Sequence, residues 1–119
     1  MSPIRIRSEQ LHTLTRDGLA ARRAGLLAEL QVRHPGRAPG ELEELVELGI
    51  TRGELYGLRQ RAALLGYLEL LVEHGPSFDQ GVHGQRNRQL LSAAAIPERS
   101  RVATVAARLD ARRRHRAGA

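Results

Sequence analysis

Leu42, Leu45, Val46, Gly49, Gly53 and Tyr56 recur at intervals of three and four residues, with the acids Glu43, Glu44 and Glu47 falling between them. A period near 3.6 gathers apolar side chains on one face of a helix and leaves the charged ones to solvent. The pattern therefore predicts a helix over Glu41 to Tyr56. Thr51-Arg52-Gly53-Glu54 has the spacing of a capping box and offers a competing helix start at Thr51. The unbroken stripe favours one continuous helix, closed by Gly57, which adopts a left-handed C-cap without a steric penalty.

The same reading extends in both directions. Ser8 is a suitable N-cap for leucines at positions 11, 14, 19, 26, 27 and 30, which predicts a first helix from about Glu9 to Arg33, ended by His34-Pro35-Gly36. Gly18 and Gly25 weaken it and point to a bend or a close helix crossing. From Arg59 to His74 the chain is apolar on nearly every side (Ala62, Ala63, Leu64, Leu65, Tyr67, Leu68, Leu70, Leu71, Val72), as a central buried helix would be. Gly75-Pro76 stops it, and Phe78 is expected to fold back onto the core. Residues 79–86, polar and rich in glycine, read as the most mobile loop. A fourth helix is expected from Asn87 to Ala95. Pro97 then occupies the first turn of a fifth, which carries Val102, Val105, Ala106 and Leu109 on one face. Ile4-Arg5-Ile6-Arg7 alternates like a strand but has no visible partner, so it reads as an extended lead-in. The expectation is an all-α, single-domain bundle of about five helices over residues 1–111, with the helix at about 59–74 central and a basic, frayed tail over 112–119.

Composition narrows the chemistry. The 119 residues suit one domain. Tyr56, Tyr67 and Phe78 are the only aromatic residues, so the core is built from Leu, Val, Ile and Ala. The absence of cysteine excludes disulfides, thiolate zinc sites and thiol nucleophiles. Met1 to Arg7 lacks the apolar stretch of a signal peptide, and no segment approaches the ~20 apolar residues that cross a bilayer, so a cytoplasmic protein making no use of a membrane is expected. All 19 basic residues are arginine, a bias that a GC-rich genome explains. They are unevenly placed: residues 1–40 hold seven arginines and three acids, residues 41–79 three and eight, residues 80–119 nine and two. An acidic middle thus precedes a basic C-terminal third.

The segment Gly49-Ile50-Thr51-Arg52-Gly53-Glu54-Leu55-Tyr56-Gly57-Leu58, continuing through Tyr67-Leu68-Glu69-Leu70 to Gly75-Pro76-Ser77-Phe78-Asp79, resembles a family of small helical proteins associated with type VI secretion gene neighbourhoods. The likeness reaches back through Ile4-Arg5-Ile6, Glu9-Gln10-Leu11 and His34-Pro35, and forward through Leu90-Leu91 and the last helix. Two family features are missing here: aromatics in the first helix and a tryptophan-containing segment after the Gly-Pro-x-Phe-Asp block. The resemblance implies a helical accessory protein and carries no reaction with it.

No constellation of catalytic or cofactor-binding residues stands out. Histidines at 12, 34, 74, 83 and 115 lack the spacing of a helical metal pair, and no phosphate loop or serine-centred nucleophile is present. His74 and His83 flank the loop carrying Asp79 and would form a His-Asp-His cluster if the three converged; a histidine suited to a helix C-terminus and a solvated one explain the pair as well. Glu41, Glu43, Glu44 and Glu47 read as a solvated face near a helix N-terminus. The chain is therefore expected to be no enzyme, with no cofactor and no bound metal. Its candidate partner-binding residues are Tyr56, Tyr67, Phe78, Asp79, Arg108, Arg112 and Arg113, chosen because aromatic and arginine side chains dominate interface energetics. The expected role is a protein-protein interaction module, an adaptor or chaperone for a secretion-system effector or delivery tip. An immunity protein bound to a cognate toxin is the alternative of the same kind. A nucleic-acid-binding regulator using Arg101, Arg108, Arg112, Arg113, Arg114 and Arg116 as phosphate contacts is the alternative of a different kind. Pairing of the acidic middle with the basic tail, within a chain or across a homodimer, remains open.

Overall fold

Apolar side chains on every face of one helix need neighbours on every face, and that requirement sets the architecture. A computed structural model describes residues 18 and 20–118. Its helices are α1 (residues 20–33), α2 (Pro39–Tyr56), α3 (Arg61–His74), α4 (Gln85–Leu91) and α5 (Glu98–Gly118). Among the described residues there is no strand, and the chain is an all-α bundle. The first half of the expected helix 1 and the strand-like Ile4 to Arg7 lie outside the described residues. No described helix is long and apolar enough to cross a membrane.

α3 is the central element. It buries Ala63, Leu64, Leu65, Tyr67, Leu68, Leu70, Leu71 and Val72 and packs against α2 on one side and α5 on the other. One continuous core joins these residues to Leu26 and Leu30 of α1, Leu42 and Val46 of α2, Leu91 of α4, and Val102, Val105 and Leu109 of α5. The α2–α3 crossing depends on missing side chains. A Cβ on Gly49 would stand 2.2 Å from Leu68 Cδ2, and one on Gly53 2.5 Å from Leu64 Cδ2. Gly66 gives α5 the same access, since its Cβ would meet Val102 Cγ1 at 2.9 Å. The glycines of the first helix play no such part among the described residues: none comes within 4 Å of a Cβ placed on Gly18, and Gly25 faces the Arg61 guanidinium at 3.6 Å.

Helix ends follow local chemistry and correct several sequence-based boundaries. α2 starts at Pro39 rather than Glu41, since proline suits the first turn of a helix. It runs through Thr51, whose Oγ1 donates back to the Glu47 carbonyl at 3.0 Å instead of opening a new helix. Gly57 closes it at φ 77°, donating to the Glu54 carbonyl, while Leu58 donates to that of Gly53. α3 starts at Arg61 rather than Arg59, because Glu98 Oε1 accepts the backbone N–H of both Arg59 and Gln60 in the approach to the helix. α4 covers Gln85–Leu91 rather than Asn87 to Ala95; Ser92 ends it by donating both its N–H and its hydroxyl to the Arg88 carbonyl. Pro97 precedes α5 as a cap, its carbonyl accepting the Arg101 N–H. The tail expected to fray continues α5 to Gly118, and Arg113 ties it to the end of α3 by donating to the Glu73 carbonyl at 3.2 Å.

α1 is fastened from outside by ion pairs. Arg23 Nε meets Glu47 Oε1 of α2 at 2.7 Å, and Glu69 of α3 receives both Arg33 Nη1 and His34 Nε2, the latter at 2.8 Å. Exposed pairs contribute about 0–1 kcal/mol each, so Leu26 and Leu30 hold the helix and the pairs fix its register. Leu68→Ala is expected to destabilise the fold by about 2–5 kcal/mol, because it empties the middle of the core. Gly49→Val is expected to destabilise it too, by wedging the α2–α3 crossing apart, whereas Gly18→Ala should not; chemical denaturation of the three variants checks the contrast.

Candidate functional site

Leaving α3 at Gly75, the chain makes a series of turns that deliver Asp79 into the interior with no solvent exposure. A buried carboxylate must recover inside the protein the hydrogen bonds it had in water. Asp79 recovers four. Tyr56 Oη donates to Oδ2 at 2.9 Å and Tyr67 Oη donates to the same oxygen. Oδ1 accepts from Arg52 Nη1 at 3.0 Å and from Gln80 Nε2 at 3.2 Å. Two carboxylate oxygens offer about four acceptor positions, and all are used. Arg52 also donates to the Pro76 carbonyl, and Arg88 of α4 to the carbonyl of Asp79 itself, at 3.0 Å.

Each donor is in place for a reason the sequence supplies. Arg52 and Tyr56 stand one turn apart on α2 and so share a face. Tyr67 projects from α3 to meet the Tyr56 ring edge-to-face, the centroids 5.8 Å apart and the planes at 86°, and Phe78 packs against Tyr67 at 5.8 Å with the planes tilted by 59°. The loop behind Asp79 closes tightly: a Cβ on Gly84 would lie 2.1 Å from the Gln80 nitrogen, so only glycine fits there. From this point α4 inherits its position. Asn87 donates to the Phe78 carbonyl at 2.9 Å and accepts from Arg108 Nε at 3.2 Å, linking the buried cluster to the outer surface of α5.

Burial, with the adjoining Asp79 carboxylate as acceptor and negative charge, pushes the Tyr56 hydroxyl up to about 12 and that of Tyr67 higher still. Both phenols stay protonated and donating. The cluster therefore offers neither a free base nor a free acceptor to a substrate; it is a tie between α2, α3 and the loop.

The seven partner-binding candidates divide into two groups. Tyr56, Tyr67, Phe78 and Asp79 are brought together, but in the interior. Arg108, Arg112 and Arg113 lie exposed on α5. Residues 79–86, expected to be the most mobile, contain the most heavily anchored residue of the loop. Asp79 does not converge with His74 and His83. Those histidines line a separate groove of about 270 Å³, floored by Phe78 and Leu109 and flanked by Arg112 and Arg113. Arg101, considered as a phosphate contact, is buried: Nε donates to the Ile96 carbonyl at 2.6 Å and Nη1 to those of Tyr56 and Leu91. It holds the C-terminal ends of α2 and α4, where carbonyls attract a cation. Sequence reasoning missed Arg52, Gln80, Asn87 and Arg88. Only Arg52, one helical turn before Tyr56, left a readable trace.

No family model matches the chain, and no curated protein or solved structure matches it. Asp79→Ala is expected to cost about 3–5 kcal/mol, since it strands a largely buried Arg52 and two hydroxyls. The pH dependence follows from the phenols. A folded-state value above the ordinary 10.0 means the native state holds its protons longer than the unfolded chain. The phenol contribution to stability is thus complete below pH ~10 and is lost as the pH rises toward about 12. With two tyrosines and no tryptophan in the chain, phenolate absorbance reports them directly; it is expected to appear only together with unfolding, and phenolate forming in the folded protein near pH 10 would contradict the assignment.

Proposed function

We propose that the chain is a non-catalytic protein-binding module that docks an acidic surface of its partner on the arginine face of α5. The observation that carries this reading is the division between interior and surface. The polar groups around Asp79 are consumed by one another, while Arg108, Arg112 and His115 stand exposed at i, i+4 and i+7 around Ala111, bordering a shallow hollow of about 330 Å³. Arg108 is oriented by Asn87 Oδ1, and an arginine already held in place loses less freedom on binding.

A nucleic-acid role has less to support it. Tyr56, Tyr67 and Phe78 are all buried, so no aromatic ring of this chain serves as a stacking platform for bases. Phosphate contacts alone would remain. That the partner is an effector or delivery-tip component of a secretion system, served by this chain as a cytoplasmic adaptor or chaperone, rests on the resemblance carried by the Tyr67 to Asp79 block.

Affinity capture from lysate, with and without nuclease, tests the reading. The Arg108→Glu, Arg112→Glu double variant is expected to lose its partner at least about tenfold, because two like charges then face an acidic surface, while circular dichroism shows it still folded with wild-type helix content. Arg112→Glu alone, which leaves the Asn87 bond intact, is expected to weaken binding in the same direction. Nuclease-insensitive recovery of an acidic effector or tip protein supports the adaptor, and recovery of a toxin domain alone supports immunity. Recovery that disappears with nuclease, or a partner retained in full by the double variant, would overturn the docking surface.

A further inference from the structure

His74 is the last residue of α3, and its side chain is nine-tenths buried. Its Nε2 is fully buried and has no hydrogen-bond partner, the one side-chain atom in that condition among the described residues. A buried polar atom left unpaired is disfavoured, so its surroundings are incomplete as they stand. The atom faces two carboxylates from two helices, Glu73 Oε2 of α3 at 3.8 Å and Asp110 Oδ1 of α5 at 4.0 Å. These separations are too long for hydrogen bonds. They exceed by a few tenths of an ångström the roughly 3.3–3.6 Å that separates the ligand atoms of a tetrahedral zinc bound at 2.0–2.2 Å. All three ligand atoms lie within 4.8 Å of one another.

We propose that Glu73, His74 and Asp110 form a site for a divalent transition-metal ion of the zinc type, which fastens α5 to the C-terminal end of α3. One imidazole and two carboxylates suit zinc, cobalt or manganese, whereas magnesium and calcium favour oxygen ligands throughout. Glu73 and Asp110 are about half exposed, which gives the ion an entry path and the carboxylates freedom to close by a few tenths of an ångström. Three protein ligands leave a tetrahedral ion one open position.

Arg113 opposes the ion. Its Nη2 lies 3.3 Å from His74 Nδ1 and donates to the Glu73 carbonyl. A guanidinium has only donors, so while it faces Nδ1 the ring proton sits on Nε2, directed at the carboxylates. Binding through Nε2 moves that proton to Nδ1 and turns Arg113 away from the ring. The tie between α3 and α5 is thus made in one of two ways, by arginine or by metal, and the ion also offsets the repulsion between Glu73 and Asp110.

Calorimetric titration of the full chain with zinc chloride tests the site, with cobalt chloride as the spectroscopic probe. One ion per chain is expected, with a melting temperature that climbs as free zinc rises. Loss of even a supporting partner weakens metal binding about 10–100-fold, so Asp110→Asn and Glu73→Gln, both at exposed positions, are each expected to weaken it at least as much. Arg113→Gln is expected to strengthen it. Cobalt should show d–d absorption in the wild type and lose it in Asp110→Asn. His34→Asn, which alters the other histidine-glutamate pair, should bind as the wild type does. No zinc uptake by the wild type, unchanged uptake by Asp110→Asn, or a loss confined to His34→Asn would each overturn the proposal.

Discussion

A carboxylate removed from water must be given back its donors, and in this chain the region between α3 and α5 is arranged around those that Asp79 receives. The penalty for burying an unpaired ion is several kcal/mol even after relaxation, comparable to the whole stability of a small domain. The cluster therefore forms complete or not at all. Completing it fixes the rotation of α2, which must present Arg52 and Tyr56 together, and that of α3, which must present Tyr67. It also fixes the path of the loop, since Asp79 can enter only if Gly84 brings the backbone close behind it. α4 and the outer arginine Arg108 follow through Asn87 and Arg88.

Where a hydrophobic period ran unbroken, the sequence was a sufficient guide. The stripe from Leu42 to Tyr56 and the all-round apolar run from Ala62 to Val72 became α2 and the central α3, because burial of a face outweighs local alternatives such as the capping box at Thr51. Where the period was weak, boundaries shifted. α4 has only Leu90 and Leu91 as a clear apolar signal, so side-chain bonds from Ser92 and Arg101 decided its end. The polar, glycine-rich composition of residues 79–86 suggested mobility, but composition does not show that one aspartate in the segment is buried.

The candidate site was legible in its membership and not in its location. Tyr56, Tyr67, Phe78 and Asp79 were singled out together and do meet, yet three aromatics in a leucine-rich core are scarce bulky side chains that the interior takes up first. The convergence of Glu73 and His74 with Asp110 had no trace in spacing, because it depends on how α5 lies across the end of α3. What the interior consumes, the surface does not offer. Among the charged groups that remain accessible are the acids on the outer face of α2 and the arginines of α5, and the proposed docking face rests on those arginines.

Asp79 serves structure, holding the loop between α3 and α4 in place. Backbone hydrogen exchange measures that most directly. The N–H groups of Gln80, Gly84 and Arg88 donate to the carbonyls of Ser77, Gln80 and Gly84, so they report the loop and the start of α4 residue by residue. In the wild type they are expected to be protected nearly as well as the interior of α3, and in Asp79→Asn to lose much more of their protection than α2 and α3 lose. Equal protection of this loop in both proteins would contradict the claim, and would return Asp79 to consideration as a residue kept for chemistry or recognition.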